Sequence, residues 1–170
     1  MITDLIQIRR LGEQARGENE RFRKHLKSHH DLPDLKFRRI AEEVEGDIDC
    51  TKCANCCRVA TVELHKRDIE KLAKFLRITP AKFMKEYTVE SEDEGFILKR
   101  TDEAGCVFLD GNDCTVYEVR PTTCEYFPHM IRGQGSIPSR MWQWIDRACY
   151  CPIVYNVLEK FKDATKFKKL

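Results

Sequence analysis

The stretch Cys50-Thr51-Lys52-Cys53-Ala54-Asn55-Cys56-Cys57 places four thiols within eight residues. Cysteines at this spacing let one tight loop direct several sulfurs at a common point, which is typical of zinc knuckles and iron–sulfur loops. Five more cysteines follow downstream, at Cys106, Cys114, Cys124, Cys149 and Cys151. We therefore expect most of these thiols to hold a metal ion or cluster.

Length and charge exclude several other classes of protein. The chain has 170 residues, enough for one domain with its own core. Its formal net charge of +2 is too small to favour a nucleic acid, a membrane surface or an acidic partner. We predict no nucleic-acid partner and no membrane partner, and we leave an unidentified protein partner open.

The expected compartment is the cytoplasm. Residues 1–10 include Asp4 and lack the sustained apolar run of a secretory signal. No segment approaches the ~20 apolar residues that a membrane span needs. Because cytoplasmic thiols stay reduced, a dense set of cysteines there indicates metal binding or catalysis before it indicates disulfides.

The sequence predicts an α+β fold, a small mixed domain with a metal-organised cysteine core and an N-terminal helical extension. The predicted segments are a helical extension over residues 1–46, a cysteine-cluster metal-binding domain over 47–152, and a C-terminal helix with a basic tail over 153–170. Helical spacing of apolar residues predicts a helix to about residue 30 and a second, short helix to about Val44. Residues 31–34 break the first helix, and Asp34 can cap the second.

Short elements are expected within the cysteine domain. They are a strand over residues 58–64, a helix over 65–78, a helix that restarts at Thr79-Pro80, strands over 96–100 and 141–145, and a last helix beginning at Pro152. The run Asp110-Gly111-Asn112-Asp113 is typical of a tight turn. Such a turn would fold Cys106 and Cys114 back toward each other across a hairpin-like loop.

The thiols suffice for two four-thiolate sets. Cys50-x2-Cys53-x2-Cys56 has the three-ligand spacing of a ferredoxin loop, in which a cysteine followed by proline supplies the fourth thiolate, as Cys151-Pro152 does here. Cys57 cannot easily share that metal, because neighbouring side chains tend to point apart. A second set is then Cys57, Cys106, Cys114 and Cys124, which leaves Cys149 spare. This division stays open, and so does the choice between zinc and a four-iron cluster, because both prefer four sulfurs.

Arg120 is the candidate cofactor-binding residue outside the thiols. Zinc or a four-iron cluster bound by four thiolates carries about two net negative charges. Arg120 precedes Pro121 and lies four residues before Cys124, where its charge would offset that of the site. The alternative is an ordinary surface arginine.

Other uses of cysteine find less support in the sequence. A thioredoxin-like pair of Cys53 and Cys56 requires a preceding strand, and the residues before Cys50 are polar and charged. A cysteine nucleophile paired with His65 or His129 has no accompanying motif. Disulfides in an oxidising compartment remain a third alternative. We identify no catalytic residue.

An ordered series of motifs resembles one known family. It begins with Cys50-x2-Cys53-x2-Cys56-Cys57 and continues through Val62-Glu63-Leu64-x3-Asp68, Cys106-x-Phe108-Leu109, and Cys114-x-Val116-Tyr117-x2-Arg120-Pro121-x2-Cys124. The chain is similar over about residues 50–151 to the CxxCxxCC cysteine-cluster family, a zinc- or iron-chelating domain. The resemblance implies that the cysteines are metal ligands. The chain differs from the usual pattern of this family at three positions. These are Ala54, where glycine is common, His65, where a Ser/Thr cap is usual, and Glu125, where arginine is common.

The two functional hypotheses come from different classes. The first is a metal-binding protein in which zinc or an iron–sulfur cluster is held by Cys50, Cys53, Cys56, Cys57, Cys106, Cys114, Cys124 and Cys151. The second is an iron–sulfur enzyme or accessory protein in electron transfer or protein modification. A related cysteine motif in flagellin lysine-N-methylases gives a distant pointer to methyl transfer, but the chain shows no methyl-donor site.

Overall fold

The computed structural model describes residues 1–28, 34–132 and 135–168. They form two compact units, which we call the helical unit (Met1–Asp49 with Pro128–Leu170) and the cysteine unit (Cys50–Phe127). Of the predicted break at residues 31–34, residues 31–33 lie outside the described residues, and Asp34 is the first residue of a helix. Residues 128–152 belong to the helical unit, although the sequence-based division includes them in the cysteine-cluster domain. The division into three segments stays a prediction.

The helical unit contains the longest elements of the described chain. Its helices are α1 (Leu5–Ser28), α2 (Asp34–Asp47), α8 (Ile137–Arg147) and α9 (Pro152–Ala164). Helix α1 contacts α8 and α9, and α2 contacts α9. The two predicted N-terminal helices and the last helix beginning at Pro152 are thus confirmed.

Aromatic side chains form the core of the helical unit. Phe37 stacks on Trp144 with ring centroids 5.0 Å apart, and it meets Phe161 edge-on at 5.1 Å. Phe22 packs edge-on against the same Phe161 at 5.6 Å. Because each ring comes from a different helix, these contacts hold four helices together through apolar burial.

The predicted strand at residues 141–145 is wrong. These residues lie inside α8, whose first turn is capped by Ser136, the side chain of which accepts a hydrogen bond from the Ser139 N–H. Met141, Trp144 and Ile145 are buried at helical spacing. A short apolar run cannot by itself distinguish a strand from a buried helical face, and here the tertiary contacts favour the helix.

The cysteine unit alternates short helices with paired strands, and its mixture of the two confirms the α+β class. Its helices are α3 (Cys50–Cys53), α4 (Asn55–Val59), α5 (Lys66–Phe75), α6 (Pro80–Tyr87), the 3-10 turn Tyr117–Val119 and α7 (Thr122–Glu125). Its strands are β1 (Thr88–Ser91), β2 (Gly95–Leu98), β3 (Arg100–Thr101), β4 (Gly105–Cys106), β5 (Leu109–Asp110) and β6 (Asp113–Cys114). Within the described ranges the strands pair antiparallel as β1–β2, β3–β4 and β5–β6.

Strand pairing places two of the cysteines. Cys106 lies opposite Arg100, and Cys114 lies opposite Leu109 across the predicted turn at residues 110–113, which is confirmed. The predicted strand at 58–64 is only partly formed, because α4 continues to Val59 and a single bridge joins Glu63 to Ile97.

The core of the cysteine unit lies under these elements and carries several thiols at its edge. Its buried members include Leu72, Phe83, Leu98 and Phe108. Cys106, Cys114 and Cys124 pack against this core while staying partly accessible. Among the described residues of the whole chain, no helix combines the length and the apolar character needed to cross a membrane.

Candidate metal centre

Six cysteines surround one cavity of about 390 Å³ within the cysteine unit. They are Cys50, Cys56, Cys57, Cys106, Cys114 and Cys124. Much of the remaining wall is apolar and includes Val62, Leu98 and Phe108 from the core. The fold therefore brings together thiols that lie up to 74 residues apart in sequence, from Cys50 to Cys124.

Four of these thiols affect one another electrostatically. The pKa of Cys124 is raised to about 12, mainly by burial and in addition by the neighbouring sulfurs of Cys106, Cys57 and Cys114. Burial is also the main cause of the raised pKa values of Cys106 and Cys114, and the Cys57 charge adds to both. A bound cation would reverse this balance, because a metal favours the thiolate form of its ligands.

Cys57 differs from the other three. A hydrogen bond from the Cys56 thiol lowers the pKa of Cys57 to about 7, and the positive charges of Arg58 and Arg120 act in the same direction against the effect of burial. This sulfur therefore ionises more readily than those of Cys106, Cys114 and Cys124. Thiolates are the form in which cysteine binds metals.

Arg120, the predicted cofactor-binding residue, lies at the cavity wall. Its positive charge lowers the pKa values of Cys57, Cys114 and Cys124. Its guanidinium carbon lies 3.9 Å from the centre of the Tyr117 ring, a cation–π contact that restricts the side chain. Whether Arg120 contacts a bound group stays a prediction.

Arg58 and Asn112 join the cysteine loop to the turn of the β5–β6 hairpin. The Arg58 guanidinium donates to the Cys53 carbonyl at 3.1 Å and to the Gly111 carbonyl at 2.8 Å. The Asn112 amide in turn donates to the Lys52 carbonyl at 2.9 Å. These contacts keep Cys50–Cys57 beside the hairpin that carries Cys114.

A close backbone approach brings Cys106 beside Cys57. An ideal Cβ built on Gly105 would lie 2.7 Å from the Cys57 carbonyl oxygen and 2.8 Å from the Arg58 Cα. Gly105 also has φ of +76°, which favours glycine. Only glycine therefore lets β4 pack against α4 this closely.

Cys124 lies on α7. Hydrogen bonds join α7 and the residue Arg120 before it to α5, and join α7 to Glu63, which precedes α5. The buried Asp68 carboxylate accepts hydrogen bonds from the Thr122 N–H at 3.0 Å and the Thr122 hydroxyl at 3.1 Å. The Lys71 ammonium donates to the Arg120 carbonyl at 2.8 Å, and the Thr123 hydroxyl donates to the Glu63 carbonyl at 3.2 Å.

Asp68 is not among the site residues predicted from the sequence, although its carboxylate holds the start of α7. The spacing His65-x-x-Asp68 before an apolar run is a helix-capping pattern, and it could have predicted the hydrogen bond from the His65 N–H to Asp68. The contact with Thr122 spans 54 residues, and no local pattern predicts it.

Comparison with known families finds a match over the cysteine-containing part of the chain. A family model, CxxCxxCC, described as a "putative zinc- or iron-chelating domain", matches residues 49–152, more than half of the chain. The chain belongs to the CxxCxxCC family. No curated protein and no solved structure matches the chain.

The CxxCxxCC match includes all nine cysteines, although the structure does not place all of them at the cavity. The cavity wall does not include Cys53, whose carbonyl accepts from Arg58. Cys151 and Cys149 belong to the helical unit, where they are 5% and 6% exposed. Cys149, the predicted spare thiol, donates to the Ile145 carbonyl with a sulfur–oxygen distance of 3.7 Å. The ligand roles predicted for Cys53 and Cys151 stay predictions.

The residues around the cavity suit a zinc- or iron-binding group by their chemistry. Thiolates are the preferred ligands of zinc and of iron–sulfur clusters, and Arg120 supplies a positive charge at the same wall. Across residues 1–28, 34–132 and 135–168, however, no three His, Cys, Asp or Glu side chains are grouped so that they could hold a metal ion. The sulfurs surround the space and do not converge on one point.

Proposed function

We propose that the CxxCxxCC domain binds an iron–sulfur cluster through Cys57, Cys106, Cys114 and Cys124. The observation that carries this proposal is the spacing of the thiols: they share one cavity of about 390 Å³, yet no three of the described ligand-type side chains are grouped around a single ion. Cys50 and Cys56 line the same cavity and are the alternative ligands.

Ligand geometry favours a cluster over a single zinc ion. Four sulfurs at about 2.3 Å from one zinc ion would lie about 3.8 Å from one another. In a four-iron cluster each thiolate binds a different iron atom, so the sulfurs lie farther apart and surround the group. Thiols that line one cavity without being grouped around a single ion suit the second arrangement better.

Anaerobic purification, followed by reconstitution with Fe²⁺ and sulfide, tests the proposal. We expect a brown protein with about four iron and four sulfide per chain and broad visible absorbance that bleaches on reduction. A colourless protein with stoichiometric zinc would instead show that the thiols converge on a single ion.

Serine substitutions assign the ligands. Cys106→Ser and Cys124→Ser should each abolish or strongly reduce the iron content, and Cys149→Ser is the matched control because this thiol lies in the helical unit. Cys53→Ser and Cys151→Ser test the ligand set predicted from the ferredoxin-like spacing. Loss of iron in either of these variants would mean that the cluster uses thiols outside the cavity wall.

We infer a role in electron transfer or in redox support of a protein partner, and not a purely structural role. What supports this is access, because Cys50 at the cavity wall is exposed and Cys56, Cys57 and Cys114 are only partly buried. A redox titration of the reconstituted protein tests the role. Fully reversible reduction is expected, and a cluster that is destroyed on the first reduction would contradict it.

A further inference from the structure

We propose that Asp68 is a positioning residue that holds Cys124 in place for the proposed centre. The inference rests on the proposed function, since it concerns a ligand of that site. Asp68 lies on α5 and is not among the residues that line the cavity. It acts through Thr122, the N–H of which donates to its carboxylate.

One carboxylate caps two helices. Its Oδ2 accepts from the His65 N–H at 3.1 Å, at the start of its own helix α5. Its Oδ1 accepts from both the N–H and the hydroxyl of Thr122, the first residue of α7. Both oxygens are therefore used, and each serves a different element.

Helix α7 depends on this external cap. Its N-terminal flanking residue is Pro121, which makes no side-chain capping hydrogen bond. The first N–H groups of a helix have no partner within the helix, so Asp68 supplies from α5 the acceptor that Pro121 lacks. Cys124 is the third residue of α7, and its N–H bonds to the Pro121 carbonyl in the turn that Asp68 fastens.

Asp68 is buried, and burial of a carboxylate is unfavourable unless hydrogen bonds satisfy it. The residue is 2% exposed, and no ion pair to it occurs among the described residues. A buried carboxylate without a cation is stable only when hydrogen bonds satisfy it, and here three donors do so. A serine cap would serve α5 alone, whereas a carboxylate reaches both helices.

The test uses Asp68→Asn, Thr122→Val and Thr122→Ser. Asparagine keeps one acceptor oxygen, but its NH2 group replaces the other oxygen and faces either the His65 N–H or the donors of Thr122. One of the two helices therefore loses its cap. Valine at position 122 removes the hydroxyl and keeps the backbone N–H. Serine restores the hydroxyl and should rescue. Thr88→Val is the control, because it removes another buried hydroxyl in the same unit, which donates to the Met84 carbonyl at 2.7 Å.

The measurements are the rate at which a chelator removes iron from the reconstituted protein and the electron paramagnetic resonance spectrum of the reduced centre. We expect iron loss to be about 10–100 times faster in Asp68→Asn, as for other residues that orient metal ligands. Thr122→Val should show a smaller acceleration with an altered spectrum, while Thr122→Ser and Thr88→Val should match the unmodified protein.

Two different failures can be told apart. If the unmodified protein holds iron and folded Asp68→Asn holds it equally well with the same spectrum, the positioning role is wrong and the proposed function stands. If Asp68→Asn does not fold, Thr122→Val decides the question by the same two measurements. If the protein holds zinc in place of iron, the rate of zinc release to a chromogenic chelator tests the positioning role of Asp68 in the same variants. A protein that binds neither metal refutes both proposals.

Discussion

Ala54 adopts a left-handed backbone between the short helices α3 and α4, with φ of 46° and ψ of 14°. This conformation costs a non-glycine residue about 1–2 kcal/mol, which is why the glycine usual in the family suits the position. The Ala54 methyl group is nevertheless buried, at 3% exposure. The loop therefore has the geometry that glycine favours, although alanine occupies it.

We expect Ala54→Gly to leave the free energy of unfolding within about 0.5 kcal/mol of its original value. Relief of strain is offset by loss of a buried methyl group, about 0.8 kcal/mol, and by the greater freedom of glycine in the unfolded chain. Ala54→Val should destabilise by about 2 kcal/mol or more, because a β-branched residue resists positive φ. Urea unfolding followed by circular dichroism measures both. Equal stability of the glycine and valine variants would contradict the left-handed assignment.

Gly105→Ala should be far more costly than Gly95→Ala. Both glycines have positive φ, +76° and +71°, but a Cβ at Gly105 meets the backbone of Cys57 and Arg58, whereas nothing lies within 4 Å of one at Gly95. We expect a loss of about 3 kcal/mol for the first and about 1 kcal/mol for the second.

Urea unfolding separates the cost of positive φ from the cost of the steric clash at Gly105. The Gly95 variant measures the first alone, because nothing lies within 4 Å of a Cβ there. Iron content after reconstitution should also fall in the Gly105 variant, since β4 can no longer approach α4. Equal losses of stability in both variants would show that this close approach is absent.

At the scale of single elements, helix α1 contains two glycines with opposite roles. A Cβ on Gly12 would lie 2.5 Å from the Ala148 carbonyl oxygen, whereas nothing lies within 4 Å of a Cβ on Gly17. The sequence predicts only that each glycine weakens the helix. The packed structure shows that Gly12 is required where α1 meets the end of α8.

Gly17→Ala should therefore stabilise the helical unit by about 1 kcal/mol, through helix propensity and reduced freedom of the unfolded chain. Gly12→Ala should destabilise it by about 2–3 kcal/mol, because backbone atoms cannot move aside as a side chain can. Tryptophan fluorescence during urea unfolding measures both changes. A stabilising effect of both alanines would mean that α1 does not approach residue 148 closely.

Elements with local signals are those that the sequence predicts well. Thr79-Pro80 begins α6 as expected, with the Thr79 hydroxyl accepting from the Lys82 N–H at 3.2 Å. The strand expected at 141–145 fails because its short apolar run has no such local marker, and packing on α1 decides for helix. The Thr79 cap lies within three residues of the N–H that it accepts from, so the sequence shows it, whereas burial depends on distant partners.

At the scale of the whole molecule, the two units offer separate probes of stability. Both tryptophans, Trp142 and Trp144, lie in α8 of the helical unit. Seven of the nine cysteines lie in the cysteine unit, at Cys50, Cys53, Cys56, Cys57, Cys106, Cys114 and Cys124. Tryptophan fluorescence therefore follows the helical unit, and thiol labelling mainly follows the cysteine unit.

Glu45 of α2 should make the stability of the helical unit depend on pH. The pKa of Glu45 is raised from 4.5 to about 7, chiefly by burial; the charge of Arg132 lowers it and that of Glu42 raises it by smaller amounts. A carboxyl whose folded pKa is raised stabilises the fold when protonated. Stability is therefore greatest below about pH 4.5, falls as the pH rises to about 7, and is constant above that as far as this group is concerned.

Glu45→Gln should remove this pH dependence and stabilise the unit at pH 8 by about 1–2 kcal/mol, allowing for solvent screening. Urea midpoints from tryptophan fluorescence at pH 5 and pH 8 measure the effect. Glu43→Gln is the control, because Glu43 forms an exposed ion pair with Lys160 and should change stability by no more than about 1 kcal/mol. An unchanged slope in Glu45→Gln would assign the pH dependence to another group.

The sequence by itself determined the type of side chain that is available to bind a metal and the family to which the chain belongs. Cysteine spacing predicts a thiolate site because ligand type and local spacing are properties of the chain, and the family membership agrees with it. The turn at residues 110–113 and the helix starts at Pro80 and Pro152 are likewise local.

Only the tertiary structure decided which thiols share a cavity. It placed Cys50, Cys56, Cys57, Cys106, Cys114 and Cys124 around one space, and it revealed the Asp68 contact with Thr122 and the approach of Gly105 to Cys57. The two contacts join residues 54 and 48 positions apart, and the cysteines of the cavity span 74 positions. They depend on how helices and hairpins pack on a common core, and short-range propensities carry no information about that packing.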